Sequence, residues 1–316
     1  MSIVAAWRAR AALHDAADRS DSPQNAYRVF HGHHDGLKGL NIDRLGDSCL
    51  VSLKRDLAHH LPAIRSGIEA CHRFARIVVR THRRRNYNPQ PLSITPLAGD
   101  LPGAAIEVRD NGLRFLVDLT AAANPGLFLD TRPARGWLLD NCRGRRVLNL
   151  FAYTGSLGVA AAAGGARSVT HVDHSATALA GARANHELNG LPIDDRDLLQ
   201  GDLYDHLPRA VRAGKTFDGI ILDPPPQLTR SKGRRPRWQD YPKLTKLTTA
   251  LLAPGGWLLC FFHRYECTRE AYEAEVLANS RCQLEVRWRG ASGEDFPEFD
   301  AEEKLRLTAF ERPTAS

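Results

Sequence analysis

Residues 145–175 read RRVLNLFAYTGSLGVAAAAGGARSVTHVDHS, and this stretch decides the fold. The apolar run VLNLF is too short for a helix and the turn at Gly155 closes it, which predicts a buried parallel strand. An Ala-rich helix is expected over 157–163, and a second strand follows and ends at Asp173. Strand, glycine turn, helix, strand and terminal acid form one half of a doubly wound α/β sheet, in which ligands gather at the carboxyl ends of the strands.

The turn at Gly155 indicates which kind of ligand this half-sheet takes. A dinucleotide site uses three glycines, G-x-G-x-x-G, so that the backbone can approach a pyrophosphate, whereas this turn offers only Gly155 and Gly158. A ligand that has an adenosine ribose but no phosphate still needs a close turn and an acid for the ribose hydroxyls, and Asp173 stands in that place. S-adenosyl-L-methionine is such a ligand, although many α/β proteins carry Gly-rich turns without a cofactor.

Two later strands also end in acids. The strand expected over 198–200 leads to Gly201 and Asp202, and the apolar run FDGIIL over 217–222 leads to Asp223 and three prolines. Proline cannot continue a central strand, so the DPPP corner lies beyond the strand end, rigid and facing the cleft. An adenine amino group could be met at Asp202.

These phrases, in this order, resemble a class I methyltransferase. The wording NLFAYTG, VDHS and ARANHELNGL, preceded by NPGLFLDTRPAR, is similar to the large-subunit ribosomal RNA methyltransferases that modify cytosine C5, and to the related guanine N7 module. The resemblance implies a Rossmann-like seven-stranded core with a small α+β N-terminal domain. It also implies S-adenosylmethionine as cofactor and structured RNA, large-subunit ribosomal RNA, as partner.

The resemblance further implies a set of cofactor-binding residues. In the relatives the segment that matches NPGLFLDTRPAR helps to enclose the cofactor, although many of them have a lysine at or near the place of Asn124. The expected cofactor-binding residues are Phe128, Asp130, Arg132, Asn149, Phe151, Tyr153, Thr154, Gly155, Asp173, His174, Asp202, Leu203 and Asp223.

The sequence departs from the cytosine family at the nucleophile. Cytosine C5 is not nucleophilic, and enzymes that methylate it first add a cysteine thiolate to C6. This chain has His263 where that family has its cysteine after the fifth strand, and Cys260 or Cys267 could take over only through a local shift. Guanine N7 or an exocyclic amine needs no covalent step, so direct transfer is expected. The expected catalytic residues are Asp223, Pro224, Pro225 and His263.

Charge favours a polyanionic partner. The formal net charge is +7, and two basic stretches, 72–98 and 227–247, carry interleaved aromatic residues. Arginine and lysine neutralise phosphates and aromatic faces stack on unpaired bases, although an isolated charge run can also be a solvated loop. The expected RNA-binding residues are Arg83, Arg84, Arg85, Arg230, Lys232, Arg234, Arg235 and Trp238.

The domain organisation follows from changes of pattern. We expect an N-terminal helix within 1–24, a small α+β domain over 25–110 with a possible RNA contact, and the methyltransferase domain over 111–316, with Asp-Asn-Gly at 110–112 as a hairpin turn. The cytosine family has an upstream PUA-type RNA-binding domain and the guanine N7 relatives have other upstream RNA-binding parts, and no room for either is expected in this sequence. The contacts to RNA are therefore expected to come from the domains that this sequence does contain.

Composition and residue spacing indicate where the protein is located and whether it binds a metal. Six cysteines without C-x-x-C pairing, and no signal peptide or membrane-length apolar segment, predict a cytoplasmic protein with reduced thiols. The HGHH run at 31–34 lacks a partner ligand at metal-binding spacing, so surface histidines and no metal are expected.

Two alternatives stay open, namely a cofactor-binding RNA-associated protein without catalysis and a methyltransferase of a non-RNA substrate. The target nucleotide and the oligomeric state are open as well.

Overall fold

A computed structural model describes residues 2–14, 24–82, 93–121, 124–225, 241–263, 267–300 and 304–314. The chain divides into two compact units. Unit 1 comprises Met1–Arg132 and Gly293–Phe299, and unit 2 comprises Pro133–Ser292 and Asp300–Ser316. The division lies after Arg132 rather than at the expected residue 110, because the hairpin that follows residue 105 packs within unit 1.

Unit 1 is an α+β arrangement built on a five-stranded sheet. Its elements are α1 (Ile3–Leu13), β1 (Ala26–His31), β2 (Leu40–Leu45), β3 (Ser48–Lys54), α2 (Leu61–Glu69), β4 (Arg76–His82), β5 (Ser93–Ala98), β6 (Ile106–Asp110) and β7 (Leu113–Val117). The sheet order is β1-β2-β3-β4-β5, antiparallel except where α2 connects the parallel pair β3 and β4. Between β6 and β7, Asn111 and Gly112 have φ of 53° and 75°, as the expected tight hairpin turn requires.

Unit 2 is the predicted seven-stranded core. Its elements are α3 (Arg132–Asn141), β8 (Arg146–Leu150), α4 (Ser156–Ala163), β9 (Ser168–Asp173), α5 (Ala176–Leu188), β10 (Leu198–Gln200), α6 (Leu203–Arg212), β11 (Phe217–Leu222), α7 (Tyr241–Ala250), β12 (Leu252–Phe262), α8 (Arg269–Asn279), β13 (Glu285–Ala291) and β14 (Arg306–Glu311). The strand order is β10-β9-β8-β11-β12-β14-β13. The first five strands are parallel, and β14 runs antiparallel to both of its neighbours.

The chain reverses its direction of winding at β8. From β8 it passes to β9 and β10 on one side, and it then returns to β11 on the other side. Leu150 at the end of β8 is in register with Val172 and Leu222, and Leu222 is in register with Cys260. The residues that follow these positions therefore lie along one edge of the sheet, at the switch point where doubly wound folds bind ligands.

Each unit has its own hydrophobic core. In unit 1, Trp7 of α1 packs with the buried residues of the sheet and of α2. In unit 2, the buried faces of β8, β11 and β12 pack against α7 and α8, with Leu258 and Phe310 fully buried. Across the described ranges, no helix combines the length and the apolar character needed to span a bilayer.

Candidate active site at the sheet edge

The turn between β8 and α4 is strained. Phe151 and Tyr153 have φ of 57° and 48°, a conformation that non-glycine residues rarely adopt, and Gly155 has φ of 75°. Two hydrogen bonds from the turn to β9 hold it: Ala152 N donates to the carbonyl of Val172 (3.1 Å), and Tyr153 N donates to the carboxylate of Asp173 (2.8 Å). Strain that the surroundings enforce in this way is typical of functional sites.

Asp173 is buried and anchored from both sides. Its Oδ2 accepts from Tyr153 N and its Oδ1 accepts from Ser175 N (2.9 Å), and only 7% of the residue is exposed. Each carboxylate oxygen can accept two hydrogen bonds, so the group keeps acceptor capacity beyond these two backbone donors. The exposed His174 lies beside it, with Nδ1 3.3 Å from Oδ1. A fixed acid at the end of the second strand fits the ribose hydroxyls of an adenosine cofactor.

A buried histidine explains the two glycines of the turn. A Cβ at position 158 would lie 2.2 Å from Cε1 of His171, and a Cβ at position 155 would lie 2.6 Å from Cβ of Ala182. Close approach of α4 to β9 therefore requires glycine at position 158, and close approach of the turn to α5 requires it at position 155. The sequence related these two glycines only to a close approach of the backbone to a cofactor.

His171 belongs to a buried chain of hydrogen bonds. Asn149 Nδ2 lies 3.2 Å from His171 Nδ1, and His171 Nε2 lies 3.0 Å from His186 Nε2. Burial lowers the pKa of His171 to about 3 and that of His186 to about 4, so both rings are neutral at neutral pH. The side chain of Asn149, which was predicted to bind the cofactor, is 1% exposed and contacts this histidine. It therefore supports the turn from the buried side.

The third strand tip is joined to the second. Gly201 N donates to the carbonyl of Asp173 (2.9 Å), and Asp202 then caps helix α6 by accepting from Tyr204 N (2.8 Å). Asp202 is exposed, whereas Leu203 is buried in the core of unit 2. The predicted adenine-side acid therefore lies at a helix N-terminus beside the tip that carries Asp173.

The fourth and fifth strand tips are joined by a side-chain pair. Nε2 of His263, which follows β12, donates to Oδ1 of Asp223, which follows β11, over 2.8 Å. About a fifth of each side chain is exposed. Pro224 is buried and Pro225 is exposed. Sequence reasoning named all four residues as catalytic but missed this hydrogen bond, because it depends on the offset between two strand ends that are 40 residues apart.

Burial excludes one of the two nearby cysteines, Cys260, as a nucleophile. Cys260 lies inside β12 with no exposed surface, packed in the core of unit 2, and this burial raises the pKa of its thiol far above the usual value. A nucleophilic cysteine must be a thiolate in reach of the substrate, which this one is not. Cys267 is half-buried, and its Sγ contacts the carbonyl of Thr268 at 3.5 Å.

Two predicted cofactor residues line a cavity within unit 1. Phe128 and Asp130 belong to the wall of a cavity of about 220 Å³, together with Arg28 and Phe296. The guanidinium of Arg28 lies 4.6 Å from the centre of the Phe296 ring. Phe128 is 39% exposed, and few other large apolar side chains among the described residues are as exposed.

The side chain of Arg132, a predicted cofactor residue, makes three hydrogen bonds within unit 1. The guanidinium is buried in unit 1, where Nε donates to Asp110 (3.2 Å), Nη1 to Asp295 (2.8 Å) and Nη2 to the carbonyl of Ala26 (2.8 Å). These ion pairs raise the pKa of Arg132 in spite of its burial. All three nitrogens are therefore engaged in holding unit 1 together.

The predicted basic RNA contacts lie outside the described residues. They are Arg83, Arg84, Arg85, Arg230, Lys232, Arg234, Arg235 and Trp238. In the HGHH run, His31 Nε2 bonds to Glu298 (2.8 Å), and the rings of His33 and His34 lie against Phe299. Among the described residues, no cluster of three or more His, Cys, Asp or Glu side chains could hold a metal ion.

Comparison with known proteins identifies the class. A family model for S-adenosylmethionine-dependent methyltransferases matches residues 27–310, and this chain belongs to that family. Ribosomal RNA large subunit methyltransferase I of Klebsiella pneumoniae (strain 342) is 33% identical over 260 residues, which cover 81% of this chain. The same alignment covers 62% of the relative, so the chain spans less than two thirds of the length of the relatives it matches.

Solved structures agree on the fold. The crystal structure of SMU.776 in complex with SAH has a TM-score of 0.85 at 24% identity, covering 98% of this chain and 80% of that one. A SAM-dependent methyltransferase from Agrobacterium tumefaciens has a TM-score of 0.66 at 21% identity, covering 92% and 91%. The predicted Rossmann-like class I fold and S-adenosylmethionine as cofactor are confirmed.

Proposed function

We propose that this protein transfers a methyl group from S-adenosylmethionine to a base of RNA, directly and without a covalent cysteine intermediate. Large-subunit ribosomal RNA is the proposed substrate. The observation that carries the proposal is the Asp223–His263 hydrogen bond at the tips of two neighbouring parallel strands, where a cysteine-dependent enzyme would need its thiol. The one thiol inside β12, that of Cys260, is buried in the core.

The strand tips of unit 2 supply the cofactor contacts. Asp173 accepts from the ribose hydroxyls, the strained turn at 151–155 offers its backbone to the cofactor, and Asp202 faces the adenine. Bound S-adenosylmethionine supplies an electrophilic methyl group on a sulfonium. The remaining task of the protein is to aim one nucleophilic atom in line with that methyl group and to exclude water.

The corner after β11 is suited to hold a base. Asp223, Pro224 and Pro225 leave the strand as a rigid segment, and His263 fixes the carboxylate from the next strand. A base oriented by this corner would present its nucleophile to the sulfonium without first forming a bond to the enzyme. No rearrangement of Cys260 or Cys267 is needed.

Several features favour RNA as the substrate. The net charge of +7 suits a polyanion, and the stretch 227–247, which follows the DPPP corner directly, carries seven of the basic residues. The relative from Klebsiella pneumoniae is named a ribosomal RNA large subunit methyltransferase. We assign a supporting RNA contact to the small domain expected over 25–110 and place the reaction in the cytoplasm, where ribosomal RNA is found.

Transfer of labelled methyl groups tests the proposal. Purified protein is incubated with tritiated S-adenosylmethionine and large-subunit ribosomal RNA from a strain that lacks the gene, with RNA from the parent strain as control. We expect incorporation into the first RNA only, because the target in the second is already methylated. Cofactor binding in a calorimeter without incorporation would leave a non-catalytic RNA-associated protein, and incorporation into protein or small molecules alone would contradict the RNA substrate.

A further inference from the structure

The cavity of unit 1 lies on one face of the five-stranded sheet. The core residues Ile42, Val51 and Val79 are side by side in register on the opposite face, in the core that includes α1 and α2. Successive residues of a strand point to opposite faces, so the residue after each of these three points toward the cavity. The three cavity residues are Asp43, Ser52 and Arg80. Every residue that lines the cavity belongs to unit 1.

Two phenyl rings belong to the cavity wall. Phe128 is 39% exposed, so the cavity can be entered from solvent beside it. Phe296 is 7% exposed, and its ring centre lies 4.6 Å from the guanidinium of Arg28. Flat aromatic faces at an open cavity are surfaces on which an unpaired base can stack.

The charges of the lining are balanced. Arg28 and Arg80 are positive, and Asp43 and Asp130 are negative. Burial and the neighbouring Arg80 lower the pKa of His82, so this ring adds no charge at neutral pH. A phosphate presents only acceptors and would be repelled by the two carboxylates. The lining therefore suits a neutral ligand that has both donors and acceptors.

The size of the cavity fits one base. Pockets for drug-sized ligands measure about 300–1,000 Å³. S-adenosylmethionine belongs to that class, since it joins an adenosine to a methionine chain. The cavity measures about 220 Å³, which is too small for the complete cofactor.

The Arg28–Asp43 ion pair retains hydrogen-bonding capacity for such a ligand. Nε of Arg28 donates to Oδ1 of Asp43, Nη2 donates to Oδ2 (3.4 Å), and Nη1 lies 2.9 Å from Nδ1 of His31. A guanidinium has five N–H donors and a carboxylate has about four acceptor sites. Two donors of Arg28 and two acceptor sites of Asp43 thus exceed these contacts.

Guanine matches an adjacent carboxylate and guanidinium better than the other RNA bases do. Its O6 and N7 accept two parallel hydrogen bonds from an arginine. Its N1–H and N2–H groups are two donors side by side, which a carboxylate accepts together, and N1 is next to the carbon that carries O6. Adenine and cytosine present the carboxylate with a single amino group, and uracil with a single ring N–H.

We infer that this cavity binds one unstacked guanine of the RNA substrate, with Asp43 accepting from its N1–H and N2–H groups and Arg28 donating to O6 and N7. This guanine is separate from the methylated base, which the proposed reaction places at the strand tips of unit 2. The inference rests on the proposed function, and it gives unit 1 a base-specific contact to RNA.

Binding of short RNAs to the full chain tests the inference. Two labelled single strands differ only in the central base, guanine or adenine, between four uridines on each side. They are titrated at one salt concentration and followed by fluorescence anisotropy, with saturating S-adenosylhomocysteine so that no base enters the cofactor site. We expect the guanine strand to bind about 10-fold more tightly, as for one bidentate base contact. Equal affinities would overturn the inference.

Two variants assign the preference to the cavity. Ser52→Leu fills the cavity and leaves the Arg28–Asp43 ion pair in place, whereas Asp43→Asn exchanges an acceptor for a donor. We expect both variants to lose the preference for guanine. Ser66→Leu, the same replacement at an exposed position of α2, is the matched control and should bind as the parent protein does. A preference that survives in Ser52→Leu would contradict the inference.

Further measurements separate the cavity from the other sites. In calorimetry, Ser52→Leu should bind S-adenosylmethionine as the parent protein does, and a large loss of this affinity would assign the cavity to the cofactor instead. Asp223→Ala should keep the guanine preference, and its loss there would assign the preference to the methylated base. Methyl transfer to ribosomal RNA without a guanine preference would overturn this inference alone, whereas absence of transfer would overturn the proposed function.

Discussion

At the scale of single residues, Asp173 has two roles, since its carboxylate anchors the strained turn and faces the cofactor ribose in our proposal. We predict that Asp173→Ala weakens binding of S-adenosylmethionine by about 100-fold or more, because hydrogen bonds to a charged group contribute about 1.5–3 kcal/mol each. Titration calorimetry measures this. Asp195→Ala, at a carboxylate that is 95% exposed, is the control. Equal affinity of the two variants would remove the ribose assignment.

Gly158 is predicted to be irreplaceable for reasons of packing. A methyl group there would collide with the ring of His171, which is buried and hydrogen-bonded on both sides. Gly158→Ala should lower the free energy of unfolding by about 1–3 kcal/mol in spite of the better helix propensity of alanine. Urea denaturation measures it, with Gly103→Ala as control because no atom lies within 4 Å of its added methyl group. Equal stability would show that α4 does not need glycine there.

Candidate site residues at the ends of strands could be predicted from the sequence. Roles that depend on how helices pack on strands could not. Asp173 and Asp223 could be named because each ends an apolar run, and His263 because it stands where the cytosine family has its cysteine. The role of His171 could not, since it depends on how α5 packs on β9. The contacts of Arg132 could not be predicted either, because its partner Asp295 lies 163 residues away along the chain.

At the scale of elements, the contact between β9 and α5 makes stability depend on pH. His171 and His186 have folded pKa values of about 3 and about 4, below the value of 6.5 for free histidine. The unfolded chain therefore binds protons below pH 6.5 that the folded chain does not, and stability is lost as the pH falls through this window. We predict a loss of about 2 kcal/mol per histidine at pH 5 relative to neutral pH.

Urea denaturation at pH 7 and pH 5 measures this loss. His186→Leu should make the dependence shallower, because one buried titrating ring is removed. His174→Gln, which replaces a ring that is 88% exposed, should leave the dependence unchanged. A parent protein equally stable at both pH values would contradict the neutral buried pair.

The placement of the loop between β13 and β14 could not be predicted from the pattern of helices and strands. Residues 293–299 of this loop belong to unit 1, whereas the strands on either side of it belong to unit 2. In unit 1, Asp295 accepts from the backbone N–H of Arg28 (3.0 Å) and from Arg132, and Glu298 bonds to His31. Apolar periodicity carries no information about such polar contacts, so this placement needed the structure.

At the scale of the whole molecule, the sequence predicted the order of the strand ends along the sheet better than it predicted where the chain divides into two units. Apolar runs that end in acids predicted a doubly wound sheet and its ligand-binding edge, and the resemblance to class I methyltransferases implied seven strands. The boundary was expected at the hairpin turn of residues 110–112, whereas unit 1 continues to Arg132. Turn chemistry identified the hairpin correctly but could not show with which unit it packs.

The central claim is direct methyl transfer to RNA at the strand tips without a cysteine nucleophile. Its most direct test is tritium transfer from labelled S-adenosylmethionine to large-subunit ribosomal RNA of the deletion strain by the double variant Cys260→Ala, Cys267→Ala. Direct transfer predicts that this variant still methylates the RNA as the parent protein does. Loss of transfer in a double variant that remains folded and still binds S-adenosylmethionine would contradict the claim.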